Sequence, residues 1–186
     1  MTEPMTEPMT SSAAPLDALV EELRRAWAHT DALWLDLDEH QLRWRPDEHA
    51  SAIGWHLGHQ AAVAHFMVRN LLAAEPSPDP ELDSLMDSAT PEPARGDLPD
   101  RERLGRYRAA VADRVVARID AIRLGEVGAP AQLSVVAAGL VRALVNHEYQ
   151  HDQWIGEVRS RDLGAAASPP PASPNLTTLD GYTVLR

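Results

Sequence analysis

The chain has 186 residues, enough for one domain whose core needs no covalent staples. Its 28 acidic residues outweigh 17 basic ones, all of them arginine, and the net charge of -11 argues against a phosphate-backbone partner such as nucleic acid. Cysteine is absent, which excludes disulfides, protein thiolate metal sites and a cysteine nucleophile, so any metal must be held by imidazole and carboxylate.

Residues 1–14 carry the acidic repeat Met1-Thr2-Glu3-Pro4, Met5-Thr6-Glu7-Pro8 without a hydrophobic region, and read as a disordered leader, not a signal peptide. A cytoplasmic location is therefore expected. No apolar stretch approaches ~18 residues without a charge, so no membrane partner is expected either. From Pro15 to Leu37, Leu16, Leu19, Val20, Leu23, Trp27, Leu33 and Trp34 recur at spacings of three or four, predicting a first amphipathic helix. A polar connection over Asp38 to Ala50 offers Leu42 and Trp44 to the core. Ser51 is placed to cap a second helix that runs to Ala74. Pro and Asp dominate Glu75 to Asp100, predicting a long loop. A third helix follows over Arg101 to Leu124, with Leu104, Tyr107, Val111, Val115, Ile119 and Ile122 on one stripe. Gly125, Gly128 and Pro130 turn the chain into a fourth helix over Ala131 to Val158.

The expected architecture is all-α: a four-helix bundle over residues 15–160, with a long loop between helices two and three. A Pro-rich linker over 161–174 leads to a tail over 175–186, whose Leu176, Leu179, Tyr182, Val184 and Leu185 would pack back on the bundle. The apolar faces permit a homodimer without demanding one.

The segment Asn146-His147-Glu148-Tyr149-Gln150-His151-Asp152 carries the chemistry. His147 and His151, four apart on a helix, project from one face, as ligands of a single metal ion must. In a bundle, inward-facing histidines at this spacing build cofactor and metal sites, and neutral imidazole suits zinc, iron or nickel better than magnesium or calcium. The H-E-x-x-H pattern is also the zinc-protease signature. Here, however, Asp152 follows the second histidine, Glu157 is too close on the same helix to serve as the further ligand, and no sheet is predicted to bind a peptide. Proteolysis is accordingly not expected.

A pair holds a metal weakly, so a third ligand is expected from the second helix, within Trp55-His56-Leu57-Gly58-His59. At about 100° per residue, His56 points nearer the face of Ile53, Leu57, Met67 and Leu71, so periodicity leans toward His56 and leaves His59 open. His29, His40, His49 and His65 read as solvated side chains.

Together, Trp55-His56-Leu57-Gly58-His59, His147-Glu148-Tyr149-Gln150-His151-Asp152 and the connector Leu42-Arg43-Trp44-Arg45-Pro46 resemble the DinB-like superfamily of four-helix metal proteins, over about residues 16 to 160. Within it, the motifs are most similar to the N-terminal domain of ergothioneine-forming sulfoxide synthases. The resemblance implies His59, His147 and His151 as the metal ligands; despite the family name nothing implies DNA binding, and the acidic balance opposes it.

Three imidazoles would leave a divalent ion (zinc, Fe(II) or nickel) its full charge and an open position. Because the chain has no cysteine, a thiolate at that ion would come from substrate. The resemblance to mycothiol- and bacillithiol-using bundles implies an enzyme, a transferase or isomerase that activates a low-molecular-weight thiol against a small electrophile. The lysine-free, Ala-, Arg- and Pro-rich composition suggests a GC-rich genome, which fits mycothiol. One alternative is a non-heme iron oxygenase of the ergothioneine-synthase kind, which would need a second, larger domain. The other is a non-catalytic metal-binding or stress protein. Glu148 is a candidate general base, although a solvated or outer supporting role is the favoured reading. Asp152 is expected to orient a ligand imidazole. Trp55, Tyr149, Trp154 and Asn146 are candidates to line the pocket, and Arg142 or Arg69 to bind the carboxylates of a thiol.

Overall fold

The computed structural model describes residues 16–69, 71 and 75–171, so the leader and the tail lie outside the described residues. Four long helices make a bundle: α1 (Leu16–Trp34), α3 (Ile53–Val68), α5 (Arg101–Arg123) and α6 (Pro130–Asp162). Two short helices, α2 (Glu39–Leu42) and α4 (Pro80–Leu85), sit in the connections, with a 3-10 turn at Glu92–Ala94. α1 packs chiefly on α6 and α3 chiefly on α5, while α3 also meets α6. That last contact builds the site. Among the described residues no helix is long and apolar enough to cross a membrane.

The helix faces follow from residue spacing. On α5, Leu104, Tyr107, Val111, Val115, Ile119 and Ile122 are all buried, as their three-or-four spacing predicts. α5 begins at Asp100, whose side chain accepts from the Arg103 backbone N–H at 2.7 Å. α6 begins with Pro130 in its first turn, after Ala129 in the left-handed region at φ 53°.

Three expectations need correction. Ser51 does not cap α3, because Ala52 holds that position without a side-chain bond. The Ser51 hydroxyl is taken instead by Glu92 and Arg95, which tie the end of the long connection to the start of α3. The connection over 75–100 is not one loop. Asp79 accepts from the Leu82 N–H at 3.1 Å with Pro80 next to it, and this starts α4. The same carboxylate takes two bonds of 2.9 Å from Arg103, which docks α4 on α5. Finally, the polar connection after α1 contains α2, closed by a reciprocal capping box between Asp38 and Gln41.

The core falls into two apolar clusters, one around Leu23, Val111, Ile119 and Val141, the other around Leu33, Leu57, Leu104 and Ile155. Between them every long helix contributes a buried polar group: Thr30, Gln60, Arg108, and both Glu148 and Asp152 from α6. After α6, Gly164 turns at φ 63° and the chain lies back on the bundle, with Ala167 packed against the second cluster.

Candidate metal centre

α3 and α6 bring His59, His147 and His151 together. One ring nitrogen from each lies within 4.8 Å of the others. The rings of His147 and His151 are 4.5 Å apart between centroids, and that of His59 is 5.2 Å from each. The Nε2 atoms of His147 and His151 stand 3.2 Å apart. Two nitrogens each about 2.1 Å from one tetrahedral ion are separated by about 3.4 Å, so this pair already has the spacing of adjacent ligands.

The far sides of two of the rings, His59 and His151, are occupied. His59 Nδ1–H donates to the Met86 carbonyl at 2.7 Å, which fixes the tautomer that leaves Nε2 bare. Its ring stacks on Trp55 at 4.6 Å, 11° from parallel, and the Trp55 indole N–H donates to the Leu85 carbonyl at 3.1 Å. His56 lies outside the convergent set: its Nδ1 is 2.7 Å from His151 Nδ1, and its ring rests on Trp154 at 3.9 Å.

Burial keeps these imidazoles uncharged. It pushes His147 down to about 4 and His56 down to about 3, with neighbouring rings adding to the effect. Burial is also the leading cause of the lowered values of His59 and His151. At neutral pH each ring therefore offers a lone pair. A three-histidine cluster compatible with a divalent metal is present.

A second four-residue pair, Glu148 and Asp152, looks into the polar layer. Thr30 Oγ1 lies 3.0 Å from Glu148 Oε2 and 2.9 Å from Asp152 Oδ1. The Ala26 carbonyl, one turn back on α1, lies 3.1 Å from the same hydroxyl, so its single hydrogen is shared among three acceptors. Burial pushes Glu148 up to about 7, against the opposing charge of Arg108 at 3.7 Å. Asp152, expected to orient a ligand imidazole, accepts instead from Thr30, from Gln60 Nε2 at 3.1 Å, and from His29 Nδ1 at 2.7 Å. His29 is thus not the solvated side chain that was expected. Its other nitrogen meets the Ser168 carbonyl at 3.2 Å. His65, expected in solvent, is only 2% exposed.

Tyr149 turns its hydroxyl to Glu22 Oε1 at 3.3 Å, on the polar-layer side of α6, whereas Trp55 and Trp154 border the imidazoles. Arg69 lies over the Phe66 ring, and Arg142 is half-buried on α6. The arginine beside the centre is one that sequence reasoning passed over. Arg95 sits 3.8 Å over Trp55, and its charge helps depress His56 and His59. Its position within Pro-Ala-Arg-Gly of the long connection carries no pattern that would have singled it out.

A family model described as the DinB superfamily matches residues 22–155, a span that contains all four of these histidines. The chain belongs to the DinB superfamily. No curated protein matches it.

In this DinB-superfamily protein the glycine between the two histidines of α3 has a spatial reason. A Cβ at Gly58 would lie 2.5 Å from both Sδ and Cε of Met86, the residue whose carbonyl holds His59. Gly58→Val is therefore expected to displace Met86 and free the His59 ring, weakening zinc binding by roughly 10- to 100-fold, the usual cost of losing an outer partner. Helical content should hold. Chelator competition with Zn(II), alongside circular dichroism, checks this. Unchanged zinc affinity would show that the Met86 side chain yields without moving its carbonyl.

Proposed function

We propose that this chain is a metal-dependent enzyme in which His59, His147 and His151 hold one divalent ion, whether zinc, Fe(II) or nickel. We infer further that it activates a low-molecular-weight thiol, of the mycothiol kind, for transfer to a small electrophile or for isomerisation. The observation that carries the reading is the convergence of three uncharged imidazoles from two helices, with Nδ1 of His59 and of His151 already engaged elsewhere. Such an ion supplies Lewis acidity, which lowers the pKa of a thiol or water beside it.

The chain's own residues set the rest. No cysteine competes for the ion, so the sulfur belongs to substrate. Trp55 and Trp154 wall the imidazoles with apolar surface, which strengthens charge interactions inside. Arg95 lies over Trp55 beside the imidazoles, but Glu92, Ser51 and Thr90 already take its guanidinium, so its proposed part is to hold Trp55 in place. Glu148 belongs to the polar layer, where Thr30 and Arg108 hold it, so its proposed part is support for α6 and not proton transfer to substrate.

Anaerobic purification with metal analysis, followed by thermal-shift screening against small thiols, tests the reading. It predicts a stoichiometric divalent ion and stabilisation by a thiol only in the metal-loaded protein. Iron accompanied by oxygen uptake in the presence of a thiol would replace it with an oxygenase. A metal with no response to any thiol would leave a non-catalytic metal protein.

A further inference from the structure

We propose that His56 is a positioning residue for the metal centre, holding His151 in the orientation and tautomer that present Nε2 to the ion. The inference rests on the three-histidine reading above. His151 turns Nε2 toward His147 Nε2 at 3.2 Å and Nδ1 toward His56 Nδ1 at 2.7 Å. When Nε2 gives its lone pair to a cation, the ring hydrogen must sit on Nδ1. Nδ1–H then needs an acceptor, and His56 Nδ1 lies at hydrogen-bond distance from it. Accepting there places the hydrogen of His56 on its own Nε2. His56 thus acts on the centre through His151.

The surroundings hold His56 to that task. Its ring is pinned between Trp154 at 3.9 Å and the edge of Trp55 at 5.3 Å, so the accepting nitrogen has little freedom to swing away. The three convergent rings have unequal support. His59 donates to a backbone carbonyl, His151 faces an imidazole, and the buried Nδ1 of His147 has no partner among the described residues. An imidazole nitrogen is a more basic acceptor than an amide carbonyl. A hydrogen bond to it leaves more electron density on the opposite ring nitrogen, so His56 should make His151 the better donor of the two rings with outer partners. The closely spaced histidines of α3 therefore divide the work, His59 toward the ion and His56 toward the ring that holds it.

The test uses the full chain with Zn(II) as probe. Zinc affinity is measured by chelator competition for the wild type, His56→Leu and His56→Asn, with His151→Ala as reference. Leucine keeps volume and removes the acceptor, while asparagine places an amide oxygen near the lost Nδ1. His56→Leu is expected to weaken zinc roughly 10- to 100-fold, His56→Asn to recover most of that, and His151→Ala to lose more than either. Long-range 15N NMR of zinc-loaded wild type should show His56 protonated on Nε2 and bare on Nδ1, a readout that stands even if His56→Leu fails to fold. Wild-type affinity in His56→Leu, no advantage for asparagine over leucine, or a proton on His56 Nδ1 in the loaded protein would each overturn the inference. Those failures leave the three-histidine reading intact, whereas a wild type that binds no zinc removes both.

Discussion

Replacing His147 by alanine is expected to abolish stoichiometric binding of a divalent ion, and His59→Ala and His151→Ala to do the same. Each ring supplies one of the three nitrogens that converge among the described residues, so each deletion leaves two of those imidazoles. Loss of an outer partner costs roughly 10- to 100-fold in affinity, and loss of a ligand should exceed that range. The three variants should differ in their side effects. His59→Ala also leaves the Met86 carbonyl without its donor and bares the face of Trp55, so it should lower thermal stability of the metal-free protein. His147→Ala removes a ring whose buried Nδ1 already lacks a partner among the described residues, so its metal-free stability should change least. His49, whose side chain is 88% exposed, is the control and should keep full binding on replacement. Metal analysis by mass spectrometry and zinc titration make the comparison. Undiminished metal content in all three alanine variants would remove the proposed centre.

Acidification of the metal-free protein is the second large effect. His147 falls from 6.5 to about 4 on folding and His56 from 6.5 to about 3, and His59 and His151 shift the same way. Below pH 6.5 the unfolded chain takes up protons at these rings while the folded chain does not. Each such ring then weakens folding by roughly 1.4 kcal/mol per pH unit. The contribution is fully present above 6.5 and is lost as pH falls toward the folded values. Glu148 works against it. Its folded value of about 7 lies above the ordinary 4.5, so between those limits it favours folding more at lower pH. Asp152, also raised, has the same sign as Glu148. His147 and His56 outweigh Glu148 over this range, and the lowered His59, His65 and His151 act in the same direction, so stability rises with pH from about 4.5 to 6.5. Urea midpoints in the presence of a chelator, taken from pH 4 to 8, should therefore climb with pH before levelling near neutrality. A maximum near pH 4.5 would mean that the carboxyls dominate instead.

The long helices were legible because each repeats apolar residues at three or four over many turns. The His147/His151 pair was legible for the same geometric reason. The short helices were not, since six residues or fewer give no period to read. Their caps are nonetheless written in the chain, Asp38 with Gln41 three residues on and Asp79 before Pro80, but in sequence they are indistinguishable from loop composition. The choice between His56 and His59 defeated periodicity for a specific reason. α3 buries Ile53, Gly54, Trp55, Leu57, Gly58, His59, Gln60 and Ala61, almost its whole circumference, so no single stripe marks the inner face. The polar layer was invisible for another reason. Thr30, Gln60 and Arg108 each look like a surface residue in sequence, and only their meeting with Glu148 and Asp152 gives them meaning.

The last turn of α4 spends two successive carbonyls, those of Leu85 and Met86, on Trp55 and His59. The excursion between α3 and α5 is thereby stitched to the histidine cluster, and its local opening is the same event as loosening His59. An ion that needs His59 ordered would pull that excursion shut by mass action, by about 2.7 kcal/mol at a hundred times its dissociation constant. Emptying the centre would remove that restraint from residues 80–86. Cation occupancy and the closure of this flank thus form one thermodynamic cycle, in which changing either must change the other.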